Sequence, residues 1–65
     1  MKDIIRGKWH QIKGVLKTNW GKLTDDDLTR IEGNSERLAG VLQEKYGWSK
    51  REARKHVDEF IGSYK

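Results

Sequence analysis

Residues 20–35 read Trp20-Gly21-Lys22-Leu23-Thr24-Asp25-Asp26-Asp27-Leu28-Thr29-Arg30-Ile31-Glu32-Gly33-Asn34-Ser35, and they hold two helix stops and two helix starts. Gly21 is placed to end a helix in the left-handed conformation. Thr24 followed by three acids forms a capping-box variant, with the acids in a first turn where the helix dipole favours them. Leu28 and Ile31 are the apolar positions of the short helix that follows, which stops near Gly33. Asn34 or Ser35 then caps the next helix.

Upstream, Ile5, Trp9, Ile12, Leu16 and Trp20 recur at spacings of three and four. They make one apolar stripe on a helix for which Asp3 is the N-cap. Downstream, Leu38, Leu42 and Tyr46 recur at spacing four before Gly47. Ser49-Lys50-Arg51-Glu52 is a capping box of the S-x-x-E type. Ala53, Val57, Phe60, Ile61 and Tyr64 form the inner face of a last helix. The expected architecture is all-α, with four short helices arranged as two crossed helical hairpins.

An approximate internal duplication underlies that arrangement. Gly7, Gly14 and Gly21 match Gly33, Gly40 and Gly47 at an offset of 26, which also pairs Ile12 with Leu38, Val15 with Val41, Leu16 with Leu42 and Trp20 with Tyr46. An offset of 25 then pairs Thr24 with Ser49, Asp27 with Glu52 and Leu28 with Ala53. Gly14 and Gly40 fall inside helices, where glycine costs about 1 kcal/mol relative to alanine. The expected reason is close approach of another element, or a local kink; the alternative is a surface where a partner backbone comes near.

Sixty-five residues bound the chain to one domain, residues 1–65, with a thin core. A chain this short hides only about 60% of the surface it exposes when unfolded. The absence of cysteine excludes disulfides and thiolate metal sites. Ile4-Ile5 is followed at once by Arg6, too short an apolar run for a signal peptide. The richest apolar stretch, Leu38 to Leu42, is far below the roughly 20 residues that span a bilayer. The expected location is the cytoplasm.

Catalytic residues, metal ligands and cofactors are all expected to be none. Nucleophile elbow, phosphate loop and dinucleotide fingerprint are missing from the sequence. Asp25, Asp26 and Asp27 are consecutive, so on a helix they diverge and do not converge on one ion. His10 and His56 lack the i, i+4 partner of a helical zinc site and are expected at the surface or boundary. Trp9 and Trp20 belong to the apolar stripe and pack in the core. Trp48 staples the start of the last helix and is the tryptophan expected to be partly exposed.

The net charge of +4 is uneven. Residues 1–23 carry six basic groups and one acid, whereas residues 24–65 carry eight basic and nine acidic groups. At about 100° per residue, Lys2, Arg6, Lys13 and Lys17 flank the apolar stripe, with His10 beside them. The expected role is a solvated flank whose lysine stems cover the stripe's margin. The alternative is a weak surface for nucleic acid or another polyanion, with Lys2, Arg6, Lys13 and Lys17 as its contacts. Lys50, Arg51, Arg54 and Lys55 form a second basic cluster on the last helix. A protein partner remains open, and the oligomeric state is expected to be a monomer or weak dimer.

Gly7-Lys8-Trp9, Gln11-Ile12-Lys13-Gly14 and Trp20-Gly21-Lys22-Leu23-Thr24-Asp25-Asp26-Asp27-Leu28 resemble the CsbD-like family of small bacterial proteins. Ile31-Glu32-Gly33, Leu42-Gln43-Glu44-Lys45-Tyr46-Gly47 and Ser49-Lys50 extend the resemblance over nearly the whole chain. His10 and Val15 depart from it where lysine is usual, and Asn34-Ser35 where basic residues are common. The resemblance implies a bacterial, cytosolic protein of the general stress response. It also implies a bundle like that of SAM domains, built from two orthogonal hairpins. It supplies no catalytic or ligand residues. Some SAM-like folds bind DNA through helix-hairpin-helix loops, but Gly21-Lys22-Leu23-Thr24 lacks the second glycine that nests a phosphate.

Overall fold

The helix starts follow from local side-chain chemistry. A computed structural model describes residues 7–64, and within them the chain forms α1 (Trp9–Asn19), α2 (Asp25–Ile31), α3 (Ser35–Tyr46) and α4 (Lys50–Tyr64). Asp3 as a cap, Ile5 in the stripe, the side chain of Tyr64, and Lys2 and Arg6 fall outside the described part. Thr24 caps α2 with a complete box: its hydroxyl accepts from the Asp27 N–H at 3.2 Å, and Asp27 accepts from the Thr24 N–H at 2.9 Å. Asn34 caps α3, its Oδ1 accepting from the N–H groups of Glu36 and Arg37. Ser49 Oγ accepts from the Glu52 N–H at 3.1 Å at the start of α4.

The helix ends divide. Gly47 closes α3 in the left-handed conformation, φ 71°, and its N–H donates to the Gln43 carbonyl. Gly21 does not close α1 in that way. The cap there is Trp20 at φ −124° and ψ 89°, and positive φ among the described glycines is confined to Gly33 and Gly47. Two buried side chains decide that exit. Trp20 packs on Phe60 of α4 with ring centroids 5.4 Å apart, and Leu23 enters the core after a turn closed by its N–H to the Trp20 carbonyl. At the end of α2 the left-handed step begins one residue before Gly33. Glu32 holds φ 47° and Gly33 follows at φ 74°. An L-residue there costs about 1–2 kcal/mol, and the Glu32 carboxylate is held by Arg37 at 3.2 Å.

The core comprises Ile12, Leu16 and Trp20 of the first helix and its exit, Leu23, Leu28 and Ile31, then Leu38, Ala39, Val41 and Leu42 of α3, and Ala53, Val57 and Ile61 of α4. Trp9, Tyr46, Trp48 and Phe60 pack on its rim. The closest backbone approaches join α3 to α4 and α2 to α3. Helix α3 is therefore the central element, and it buries a face wide enough to include Ala39 and Val41. The four-helix all-α architecture agrees with the sequence reading. The positions paired by the offset of 26 diverge in part: Val41 is 5% exposed but Val15 is 39% exposed. Gly21 and Gly47 likewise differ in conformation.

The close-approach reading of Gly14 and Gly40 is overturned. A Cβ added at either would have no neighbour within 4 Å. Both α1 and α3 run through these positions as continuous α-helix.

Candidate functional site

Lys13 and Lys17 lie one turn apart on α1. With Trp9 and Gly14 they form one wall of a cleft of about 480 Å³, and Asp25, Leu28, Thr29 and Glu32 of the α2 segment form the other. Lys17 Nζ sits 2.9 Å from Asp25 Oδ1. The hydrogen bond and charge of Lys17 hold the Asp25 carboxyl below its ordinary value, against slight desolvation, and Lys13 adds to the field. Of the four cations singled out on the first helix, Lys13 and Lys17 are thus together, and Lys17 already has a counter-ion. Lys2 and Arg6 lie outside the described residues.

Asp27 is the hub of the charged network, a role that the run of three acids did not reveal. It is 4% exposed. Its Oδ1 accepts from Arg30 Nη2 at 3.0 Å, and its Oδ2 meets Lys45 Nζ of α3 at 3.0 Å as well as the Thr24 N–H. Arg30 continues to Glu44 of α3 at 3.0 Å. Burial alone would push the Asp27 carboxyl up. The Thr24 N–H, Lys45 and Arg30 outweigh it and hold the group well below the usual carboxylate range. The Asp27–Arg30 spacing of three was readable as a helical pair. The bonds to α3 required the fold.

The second unforeseen cluster is aromatic. Trp48 stacks on Tyr46 with centroids 4.7 Å apart and on His56 with centroids 4.1 Å apart. His56 Nε2 lies 3.2 Å from Glu52 Oε2, and Lys22 Nζ lies 5.1 Å from the Tyr46 ring centroid. Trp48 therefore ties the end of α3 to α4, as a staple would. It is half-buried.

The outer side of α4 presents Lys50, Arg51, Arg54 and Lys55, all exposed. With Asp58 and Glu59 they line a shallow depression of about 730 Å³. Among the described residues, none of the four makes an ion pair, whereas Lys17, Arg30, Arg37 and Lys45 all do. No group of three or more His, Asp or Glu residues is placed to hold a metal ion among the described residues. No described helix is long and apolar enough to cross a membrane.

Comparison with known proteins gives the chain its family. The CsbD-like family pattern matches residues 3–55. A UPF0337 protein of Bordetella pertussis is 59% identical over 59 residues, covering 91% of this chain and 89% of the relative. A UPF0337 protein of Pseudomonas aeruginosa is 53% identical over 58 residues, covering 89% of each chain. The UPF0337 protein YjbJ of Escherichia coli is 52% identical over 59 residues, covering 91% of this chain and 86% of the relative. With this extent of match, the chain belongs to the CsbD-like family.

Proposed function

We propose that this protein is a non-enzymatic component of the bacterial stress response, a cytoplasmic single-domain interaction module with a protectant action. The carrying observation is the state of its polar groups. The buried carboxylate of Asp27 is taken up by Thr24, Arg30 and Lys45, and His56 is taken up by Glu52 and Trp48. Asp27 and His56 are thus bound into the fold, while the cations of α4, which make no ion pair among the described residues, face solvent. A surface-acting protein works in stoichiometric amounts. A labile enzyme heated with increasing amounts of this chain is expected to be protected in proportion, up to about equimolar or higher ratios. Equal losses beside an inert protein of matched charge refute the protectant action, and full protection at trace ratios refutes the non-enzymatic reading.

A second reading is weak binding of nucleic acid or an anionic surface by Lys2, Arg6, Lys13 and Lys17. It is favoured by the shared cleft wall of Lys13 and Lys17, and weakened by the Lys17–Asp25 pair. It predicts chemical-shift changes along α1 when DNA or RNA is titrated at low salt. Changes confined elsewhere refute it.

A further inference from the structure

We propose that the exposed side of α4 is a docking surface for the phosphate backbone of duplex DNA, with Lys50, Arg51, Arg54 and Lys55 as its contacts. The inference rests on the surface-acting reading above and names the ligand for that surface.

Three observations carry it. First, these four cations are exposed and, among the described residues, without ion pairs, although Asp58 and Glu59 stand at helical spacing of four from Arg54 and Lys55. Elsewhere in the described chain, Lys17, Arg30, Arg37 and Lys45 are each neutralised by a carboxylate, and the cations that are not, Lys8, Lys13 and Lys22, are not gathered four to a single helix side.

Second, their placement opposes the helix dipole. Acids belong in a first turn and cations in a last turn. Helix α2 follows that rule with Asp25, Asp26 and Asp27. Helix α4 has Glu52 as the acid of its first turn and no cation in its last, while its cations crowd the N-terminal half. An anion bound there satisfies the side chains and the dipole together.

Third, shape and chemistry select among anions. From Lys50 to Lys55 the helix rises about 7.5 Å. Duplex DNA presents one negative charge per about 1.7 Å of axis, so a stretch of that length offers about four charges to the four cations. The apolar side of α4, Ala53, Val57 and Ile61, is buried in the core and has nothing left to insert into a lipid surface. The lining of the depression holds no aromatic or aliphatic residue to anchor a protein partner. Single strands bind through stacking on open rings, and Trp48 is half-buried and already stacked on Tyr46 and His56.

The test is fluorescence anisotropy of a labelled 20-base-pair DNA duplex with the full chain, from about 20 to 200 mM salt. A slope of about −3 in log affinity against log salt is expected for three to four phosphate contacts. The quadruple variant Lys50→Gln, Arg51→Gln, Arg54→Gln, Lys55→Gln is expected to bind at least about tenfold more weakly at low salt, with a flatter slope. Its thermal melt is expected to be unchanged or raised, because cations leave the positive end of the helix. Binding lost by a Lys13→Gln, Lys17→Gln variant and retained by the quadruple variant overturns the proposal in favour of the α1 surface. No binding by the parent at low salt overturns the proposal, as does binding retained by the quadruple variant. Preference for a single strand, or for vesicles of anionic lipid over duplex, also overturns it. The heat-protection assay reads the surface-acting role separately, so protection without DNA binding overturns this inference alone.

Discussion

Asp27→Asn isolates the charge at the hub of the ion-pair network and leaves its shape. The asparagine keeps an oxygen for the Thr24 N–H, and its backbone N–H still donates to Thr24 Oγ, so the capping box survives. Breaking a buried ion pair by removing one partner costs about 3–5 kcal/mol. The partners here are only partly buried, with the Arg30 side chain 52% and the Lys45 side chain 31% exposed, so both return to water easily. That lowers the expected loss to about 2–3 kcal/mol at pH 7. At about 4–8 °C per kcal/mol for a domain of this size, the melting temperature falls by about 10–20 °C. The pH dependence gives a second check. Asp27 has its carboxyl depressed on folding, so its contribution is fully present above the ordinary value of 3.8 and is lost as pH falls from there toward the folded value. The gap between parent and variant, read by circular dichroism melts, should therefore narrow steadily from pH 5 to pH 2. A loss below about 0.5 kcal/mol at pH 7, smaller than one ordinary hydrogen bond, or a gap that does not change with pH, would refute this account of Asp27.

Gly14→Ala and Gly40→Ala should each stabilise the protein by about 0.5–1 kcal/mol, because the added Cβ meets nothing and helix propensity rises; a lowered melting temperature in either variant contradicts the open space seen there. Gly33→Ala and Gly47→Ala should each destabilise by about 1–2 kcal/mol, since both positions hold positive φ; chemical denaturation measures this, and neutral substitutions would show that the loops relax. His56→Ala removes one layer of the Tyr46–Trp48–His56 stack, with an expected loss of about 1 kcal/mol and a changed near-ultraviolet dichroism; an unchanged aromatic spectrum would mean that the rings are not held together in solution.

What the sequence made legible was local. Thr24, Asn34 and Ser49 each cap a helix within three residues of chain, so their roles can be read without knowing the fold. Gly47 likewise needs only its own backbone freedom. Gly21 was misread because its conformation is set from outside the loop: Trp20 against Phe60 and the burial of Leu23 fix how the chain leaves α1. The stripe Leu38, Leu42 and Tyr46 traced one line of α3, whereas packing against both α2 and α4 also buries Ala39 and Val41. The Asp27–Arg30 and His56–Glu52 pairs lie at helical spacing, whereas the contacts of Asp27 with Lys45 and of His56 with Trp48 cross elements and carry no local signal.

Charge counted along the chain differs from charge presented at the surface. The first 23 residues hold the excess of basic groups, and the remainder is slightly acidic by count. Folding redistributes that balance. Asp25 takes Lys17, Asp27 takes Arg30 and Lys45, Glu44 takes Arg30 again, and Glu32 takes Arg37. Four acids and four cations thus neutralise one another across α1, α2 and α3. Within the segment that counts as acidic, Lys50, Arg51, Arg54 and Lys55 make no ion pair among the described residues and lie on one side of α4. A polyanion responds to this local field and not to the sum over the sequence. The network takes Asp25, Asp27, Glu32 and Glu44 out of play, while Glu52, Asp58 and Glu59 stay on α4 itself. The carboxylates of α2 and α3 are committed to Lys17, Arg30, Arg37 and Lys45, which leaves the four cations of α4 facing only the acids of their own helix.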